Sequence, residues 1–306
     1  MKVLLVPNYS REDAKEGSQH IATWLQGQGI EVVWAYDKHK APLGATNAAG
    51  ASLVISFGGD GTLLRAARLI GYTEVPLLGI SYGHLGFLAG ADQTHIEKRI
   101  ASALAGELHV ENRTTLSVSA TFQNESGQRR EIKDVFCLNE LALSRGMLGD
   151  IVEFDIEVSG NFIDRLRADG FVVSTATGST GYALSAGGPI VTPAFKGMVC
   201  VPIAPHTIQA RAFLTSPADI VELTISRERP VERALFCDGK LLGPEGLVSA
   251  EVNSRAALEE EAWQAQKITI AKGAEDIRFL TDDNHGFYRS VSRVFYGMGE
   301  REQHSR

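Results

Sequence analysis

Two glycine-rich turns hold the residue types in this chain best suited to chemistry. The run Thr177-Gly178-Ser179-Thr180-Gly181-Tyr182-Ala183-Leu184-Ser185-Ala186-Gly187-Gly188-Pro189-Ile190 packs small residues, hydroxyls and one aromatic behind the apolar segment Phe171 to Thr175. A strand-to-helix junction of that composition offers free backbone N–H groups and close main-chain approach to a polar ligand. Upstream, Gly58-Gly59-Asp60-Gly61-Thr62 is a second such turn, and it carries a carboxylate. Glycines let the main chain near anionic oxygens, and a helix start behind them adds a positive dipole end. A carboxylate beside such a cradle repels phosphate unless it has a task. It can hold Mg²⁺, directly or through water, or take a proton from an attacking hydroxyl. The plainer role is structural, with Asp60 or Thr62 capping the following helix. There is no Walker A lysine motif and no Gly-x-Gly-x-x-Gly followed by an acid, so the motifs indicate neither a P-loop enzyme nor an ordinary dinucleotide-dependent oxidoreductase.

Those turns need a scaffold, and the chain is long enough at 306 residues for one or two domains with a sizeable core. The 30 Lys and Arg against 37 Asp and Glu leave a formal charge of −7, with no basic stripe, which argues against a nucleic-acid partner. Cys137, Cys200 and Cys237 each sit in an apolar, strand-like run and read as buried free thiols, not a disulfide framework or a zinc set. Val3 to Val6 stops at Pro7, too short for a signal peptide, and no segment approaches membrane-spanning length. A cytoplasmic protein without membrane contact is the expectation.

The first third alternates strand and helix. Val3 to Val6 is a continuous apolar run, as a strand buried on both faces requires. Ala14, Ser18, Ile21, Ala22 and Leu25 form one helical stripe that Gly27 and Gly29 end. Strands are expected over 30–35, 53–57 and 75–80, with helices through Leu63, Leu64, Ala67 and Ile70 and through Ile96, Ile100, Ala103 and Leu104. The alternation predicts an open parallel sheet with helices on both faces, with ligands at the carboxyl ends of its strands, where the 58–62 turn falls. From about Gly106 the period changes to two, as in Leu116 to Phe122, with turn signals at Asn124 to Gly127, Ser159-Gly160-Asn161 and Asp238-Gly239. Phe287, Val291, Val294, Phe295 and Met298 recur at helical spacing and are expected to dock on the first domain. The fold class is thus an α/β N-terminal domain with an open parallel sheet, a β-rich second domain, and a C-terminal segment that returns to the first. The boundaries are drawn at 1–109 with 275–306, and 110–274.

The 58–62 turn resembles the glycine-aspartate turn shared by NAD kinases, 6-phosphofructokinases, diacylglycerol kinases and sphingosine kinases. The Thr177 to Ile190 run resembles the NAD kinase family alone. Further segments similar to that family are Gly79 to Leu88, Asn139-Glu140 and Pro202-Ile203-Ala204-Pro205-His206. The resemblance runs from the first strand to about Tyr288, nearly the whole chain. It implies transfer of a phosphoryl group from ATP, another triphosphate or polyphosphate to the 2′-hydroxyl of the adenosine ribose of NAD, with Mg²⁺ as divalent cofactor. It implies Asp60 as the catalytic carboxylate with Gly61 beside it, and Tyr82 and Phe87 at the mouth of the NAD pocket. Asn139 and Glu140 would recognise the adenosine portion, and Asp169 the nicotinamide end. Thr180, Gly181, Tyr182 and Ser185 would line the nucleotide pocket, with His206 near phosphate. No direct metal ligand is assigned. A homodimer or homotetramer is also implied.

Each residue has a plainer reading. Asn139 and Glu140 fit solvated strand positions, Tyr182 a core position, His206 a structural imidazole and Asp169 a turn. The chain departs from the family's usual residues at Ser81, Ala168, Ala176, Gly181 and Ala212, but none of these removes a carboxylate. Two other readings stay open: a lipid or sugar kinase built on the same glycine-aspartate turn, and a catalytically silent dinucleotide-binding regulator.

Overall fold

The computed structural model describes residues 1–36, 47–82, 95–146, 149–226, 231–248, 263–282 and 286–296. The chain divides into two compact units, Met1–Arg113 with Ile277–Arg306, and Thr114–Asp276.

In the first unit, β1 (Lys2–Pro7), β2 (Glu31–Trp34), β3 (Leu53–Gly58), β4 (Leu77–Ser81), β5 (His109–Arg113) and β19 (Ile277–Thr281) make one sheet in the order β2-β1-β3-β4-β19-β5. All neighbours run parallel except β19 and β5, which are antiparallel. The uninterrupted apolar runs of β1, β3 and β4 are buried throughout their central residues, as strands covered on both faces must be. Helix α1 (Glu12–Gly27) buries Ala14, Ser18, Ile21, Ala22 and Leu25, the stripe its spacing predicts. Helix α2 (Asp60–Ile70) buries Leu63, Ala66, Ala67 and Ile70 and leaves Leu64 only half-covered. Helix α3 (Ile96–Leu104) completes the layer and buries Ile100. From β1 the chain moves to β2 on one side and then to β3 on the other. The sheet therefore switches direction between β1 and β3, and crevices at such points receive ligands.

The return of the C-terminal segment is made by β19, inserted between β4 and β5. The helix that follows, Gly286–Tyr296 (α4), belongs to the same unit. None of its residues is buried, and Tyr288, Val294, Phe295 and Tyr296 are exposed. Of the apolar stripe, Phe287 and Val291 are half-buried; Met298 lies outside the described residues.

The second unit is two antiparallel sheets. One contains β6 (Leu116–Gln123), β7 (Arg129–Cys137), β9 (Val152–Val158), β10 (Asn161–Ala168), β14 (Val221–Ile225) and β18 (Gln264–Lys272). The other contains β8 (Glu140–Arg145), β11 (Gly170–Ser174), β12 (Val199–Ile203), β13 (Phe213–Leu214), β15 (Arg233–Cys237), β16 (Lys240–Gly243) and β17 (Gly246–Leu247). Alternating inward residues of both sheets form one core, with Phe154 and Phe171 edge to face at 5.7 Å. Cys137, Cys200 and Cys237 are buried and free, and burial pushes the Cys200 thiol up. β8, β11 and β12 are apolar on their other face too, where Ala142, Val172, Val199 and Val201 pack against Ala176, Ala183 and Val191. The hydroxyl-rich run therefore lies on the outer face of this sheet, anchored by its own alanines and valine.

Candidate active site

The first turn leaves β3 at its carboxyl end, beside β1. The Asn8 amide donates to the Phe57 carbonyl at 2.8 Å. A Cβ on Gly58 would lie 2.4 Å from Thr62 Oγ1 and 3.1 Å from Asn8 Cβ, so the position admits only glycine. Gly59 and Gly61 face open space, where a Cβ would meet nothing within 4 Å. α2 starts at Asp60 itself, with Gly59 in the capping place, so neither Asp60 nor Thr62 caps the helix as expected. Asp60 stands in the first helical turn, half-buried, where the dipole favours a negative group. Arg65 is half-buried as well, lying over the Tyr9 ring at 5.9 Å from its centroid, and Arg68 is likewise half-buried; neither simply faces solvent. At the end of β4, paired with Gly58, Ser81 is buried and its Oγ has no hydrogen-bond partner among the described residues.

The second turn sorts its hydroxyls into two sets. Ser174, Thr175, Thr177 and Ser179 are buried. Thr175 Oγ1 donates to the Leu138 carbonyl at 2.7 Å and accepts from the Gly178 amide at 3.1 Å. Ser179 Oγ donates to the Ala176 carbonyl at 2.7 Å and accepts from the Val191 amide at 3.0 Å. These hydroxyls shape the loop. The outward set is Thr180, half-buried, and Gly181, Tyr182 and Ser185, exposed, with Tyr182 at 42 %.

Asn139 and Glu140 lie beneath that outward set. The Asn139 carbonyl accepts from the Thr175 amide at 2.8 Å and from Ser174 Oγ at 3.1 Å. A Cβ on Gly178 would sit 2.4 Å from the same carbonyl, so glycine there permits the close approach. A Cβ on Gly181 would lie 3.7 Å from Glu140 Oε2 and 4.0 Å from Asn139 Nδ2, so the three residues share one place. Glu140 is 7 % exposed, not the solvated strand residue of the plainer reading. Asn139 Oδ1 and Glu140 Oε2 are buried and have no hydrogen-bond partner among the described residues. Leaving such an atom unpaired costs about 1–3 kcal/mol, a cost that a ligand's donors remove. Burial, and then the charge of Asp238, push the Glu140 carboxyl up to about 8. Near neutral pH it is therefore an un-ionised acid that can donate as well as accept.

Of the remaining candidates, Tyr82 follows β4. Its ring is 5 % exposed and packs in the first unit's core, 6.3 Å from Phe57 and against Gly17, where a Cβ would overlap its hydroxyl. Burial pushes its phenol up. Phe87, with the rest of Gly83 to Leu88, lies outside the described residues. Asp169 joins β10 to β11 and pairs with Arg145 at 3.2 Å. His206 is exposed, with its amide bound to the Arg167 carbonyl at 2.8 Å. Among the described residues no group of three or more His, Cys, Asp or Glu is arranged to hold a metal, and no helix is long and apolar enough to cross a membrane.

Sequence reading missed Asp238. Its carboxylate accepts from the amides of Leu138 at 2.9 Å, Asn139 at 2.7 Å and Glu140 at 3.2 Å. The Asp-Gly signal was read only as a hairpin turn.

Two family models match the chain: the ATP-NAD kinase N-terminal domain over residues 6–108 and the ATP-NAD kinase C-terminal domain over 138–245. The second match covers the hydroxyl-rich turn, which a lipid or sugar kinase left unexplained. An NAD kinase of Pseudomonas entomophila is 34 % identical over 249 residues, 81 % of this chain and 76 % of that protein. NAD kinase 2 of Prochlorococcus marinus is 32 % identical over 96 % of this chain and 95 % of its own length. In fold, the chain is similar to the crystal structure of yeast NADH kinase complexed with NADH, at a TM-score of 0.79 and 20 % identity over 100 % of this chain and 90 % of that one. It is also similar to an NAD kinase from Archaeoglobus fulgidus in complex with ATP, at 0.71 and 24 % over 96 % and 98 %. With both family models matched and relatives above 30 % identity over most of its length, the chain belongs to the NAD kinase family, phosphotransferases that make NADP by phosphorylating the 2′-hydroxyl of the adenosine ribose of NAD.

Proposed function

We propose that Asn139 and Glu140 hold the adenosine portion of NAD and that Asp60 acts on its 2′-hydroxyl. The observation that carries this reading is the pair of buried, partnerless oxygens, Asn139 Oδ1 and Glu140 Oε2, beside Gly181. A ribose and an adenine amino group supply the donors those oxygens lack. Tyr182, exposed above them, offers a ring face to stack a base. Thr180 and Ser185 line the same turn.

Asp60 orients the hydroxyl and takes its proton as the oxygen attacks the terminal phosphorus of the donor. The new bond forms from that oxygen to phosphorus, and the bond to the leaving phosphate or nucleotide breaks. The main chain at Gly59 and Gly61 is open to donor oxygens at the start of α2. A divalent ion would be held mainly by the donor phosphates, with Asp60 as the protein carboxylate that could bind it directly or through water. Mg²⁺ in that place would neutralise phosphate charge. ATP is the donor in this reading, with polyphosphate as the variant. A cytoplasmic homo-oligomer completes it, supported by exposed Phe162 and Ile163 on the edge strand β10.

The test is a coupled NADP assay with ATP and Mg²⁺ on Asp60→Asn. Turnover should fall about a hundredfold to ten-thousandfold while the melting temperature stays put. Near-normal turnover would remove Asp60 from the chemistry.

A further inference from the structure

We propose that Asp238 is a positioning residue for the dinucleotide site: from the tip of the β15–β16 hairpin its carboxylate fixes the main chain of Leu138 to Glu140 and so aims the Asn139 and Glu140 side chains at the ligand. This rests on the assignment of those two side chains to NAD. Three amide donors converge on one carboxylate, at 2.9, 2.7 and 3.2 Å, and the Asp238 amide returns a bond to the Glu140 carbonyl at 3.0 Å. From the other side, Thr175 holds the Leu138 and Asn139 carbonyls through its hydroxyl and amide. The segment is thus gripped on both its donor and its acceptor edges, and the two orphaned oxygens project from it.

The hairpin is built to bring the carboxylate there. Cys237 and Lys240 pair across the two-residue turn Asp238-Gly239, whose φ values are +47° and +70°. Aspartate is one of the few side chains that accept such a conformation, and it also bonds to backbone. An acceptor with both oxygens available is needed, since Oδ2 serves Leu138 and Oδ1 serves Asn139 and Glu140. Asparagine would replace one acceptor by a donor facing a donor.

Asp238 also contributes charge. Of the described groups near Glu140, Gly181 and Asn139 are neutral, and the charge that bears on its carboxyl is that of Asp238. Removing that charge should move the titration of Glu140 to lower pH, an effect that a purely structural turn residue would not have.

The experiment compares D238N, N139A and the double variant in steady state, with amide hydrogen exchange on the same proteins. D238N should raise KM for NAD at least about tenfold with KM for ATP within about twofold. In the double variant the two effects should fall short of their product, because one acts through the other. The pH at which KM for NAD inflects should drop in D238N, and the amides of 138–140 should exchange at least about tenfold faster. Unchanged NAD KM and unchanged exchange in D238N would overturn the proposal, as would effects that simply multiply. An unchanged NAD KM in N139A would instead sink the assignment of Asn139 to NAD, leaving the clamp to be judged by exchange. Should D238N fail to fold, the wild type decides: its three amides must exchange slowly with and without NAD, and rapid exchange would refute the clamp.

Discussion

Glu140→Gln gives the sharpest test of how the nucleotide site is built. At a pH well below 4.5, the Glu140 carboxyl is protonated in the folded and the unfolded chain alike. Between the ordinary 4.5 and about 8, the unfolded chain releases the proton and the folded chain keeps it. The unfolded state therefore gains on the folded one as pH rises through that window, and the loss of stability levels off above about 8. From about pH 6 to about pH 8 this one group should cost the wild type about 2 kcal/mol. Glutamine has nearly the same shape and does not titrate, so the variant escapes the loss. The assay is urea unfolding of both proteins without nucleotide, followed by tryptophan fluorescence, since Trp263 packs against the second unit's core. The gap between variant and wild type should move by about 2 kcal/mol in favour of the variant over those two pH units. Parallel pH profiles would show that Glu140 ionises as an ordinary surface carboxylate, and the argument from burial would fail.

Two glycine substitutions should separate the loop's tight point from its open one. Gly178→Ala places a methyl group 2.4 Å from the Asn139 carbonyl and 2.5 Å from Ser174 Oγ. It should cost about 3 kcal/mol in urea unfolding and raise KM for NAD, because the displaced segment carries Asn139 and Glu140. Gly181→Ala meets nothing nearer than the Gly178 carbonyl at 3.3 Å and should leave KM for NAD within about threefold of wild type in the coupled assay.

Much of this was legible from residue order. The α1 stripe, the alternation of β6 and the two-residue turns at Ser159-Gly160 and Asp238-Gly239 depend on neighbours in the chain, and local pattern reports them directly. What was not legible depends on partners far away. The bonds from Asp238 span about a hundred residues and exist because β15 lies beside β8. Burial of Glu140, which makes it an acid near neutral pH, follows from the same pairing and from the loop above it. The packing of the Tyr82 ring was likewise illegible, because it depends on Gly17 of α1 making room for its hydroxyl.

A structure of the protein with NAD bound is the most direct test of the site. The account predicts that the adenosine portion takes up hydrogen bonds to Asn139 Oδ1 and Glu140 Oε2, the two buried oxygens that lack partners among the described residues. NAD seated elsewhere, with both oxygens still unsatisfied, would contradict it.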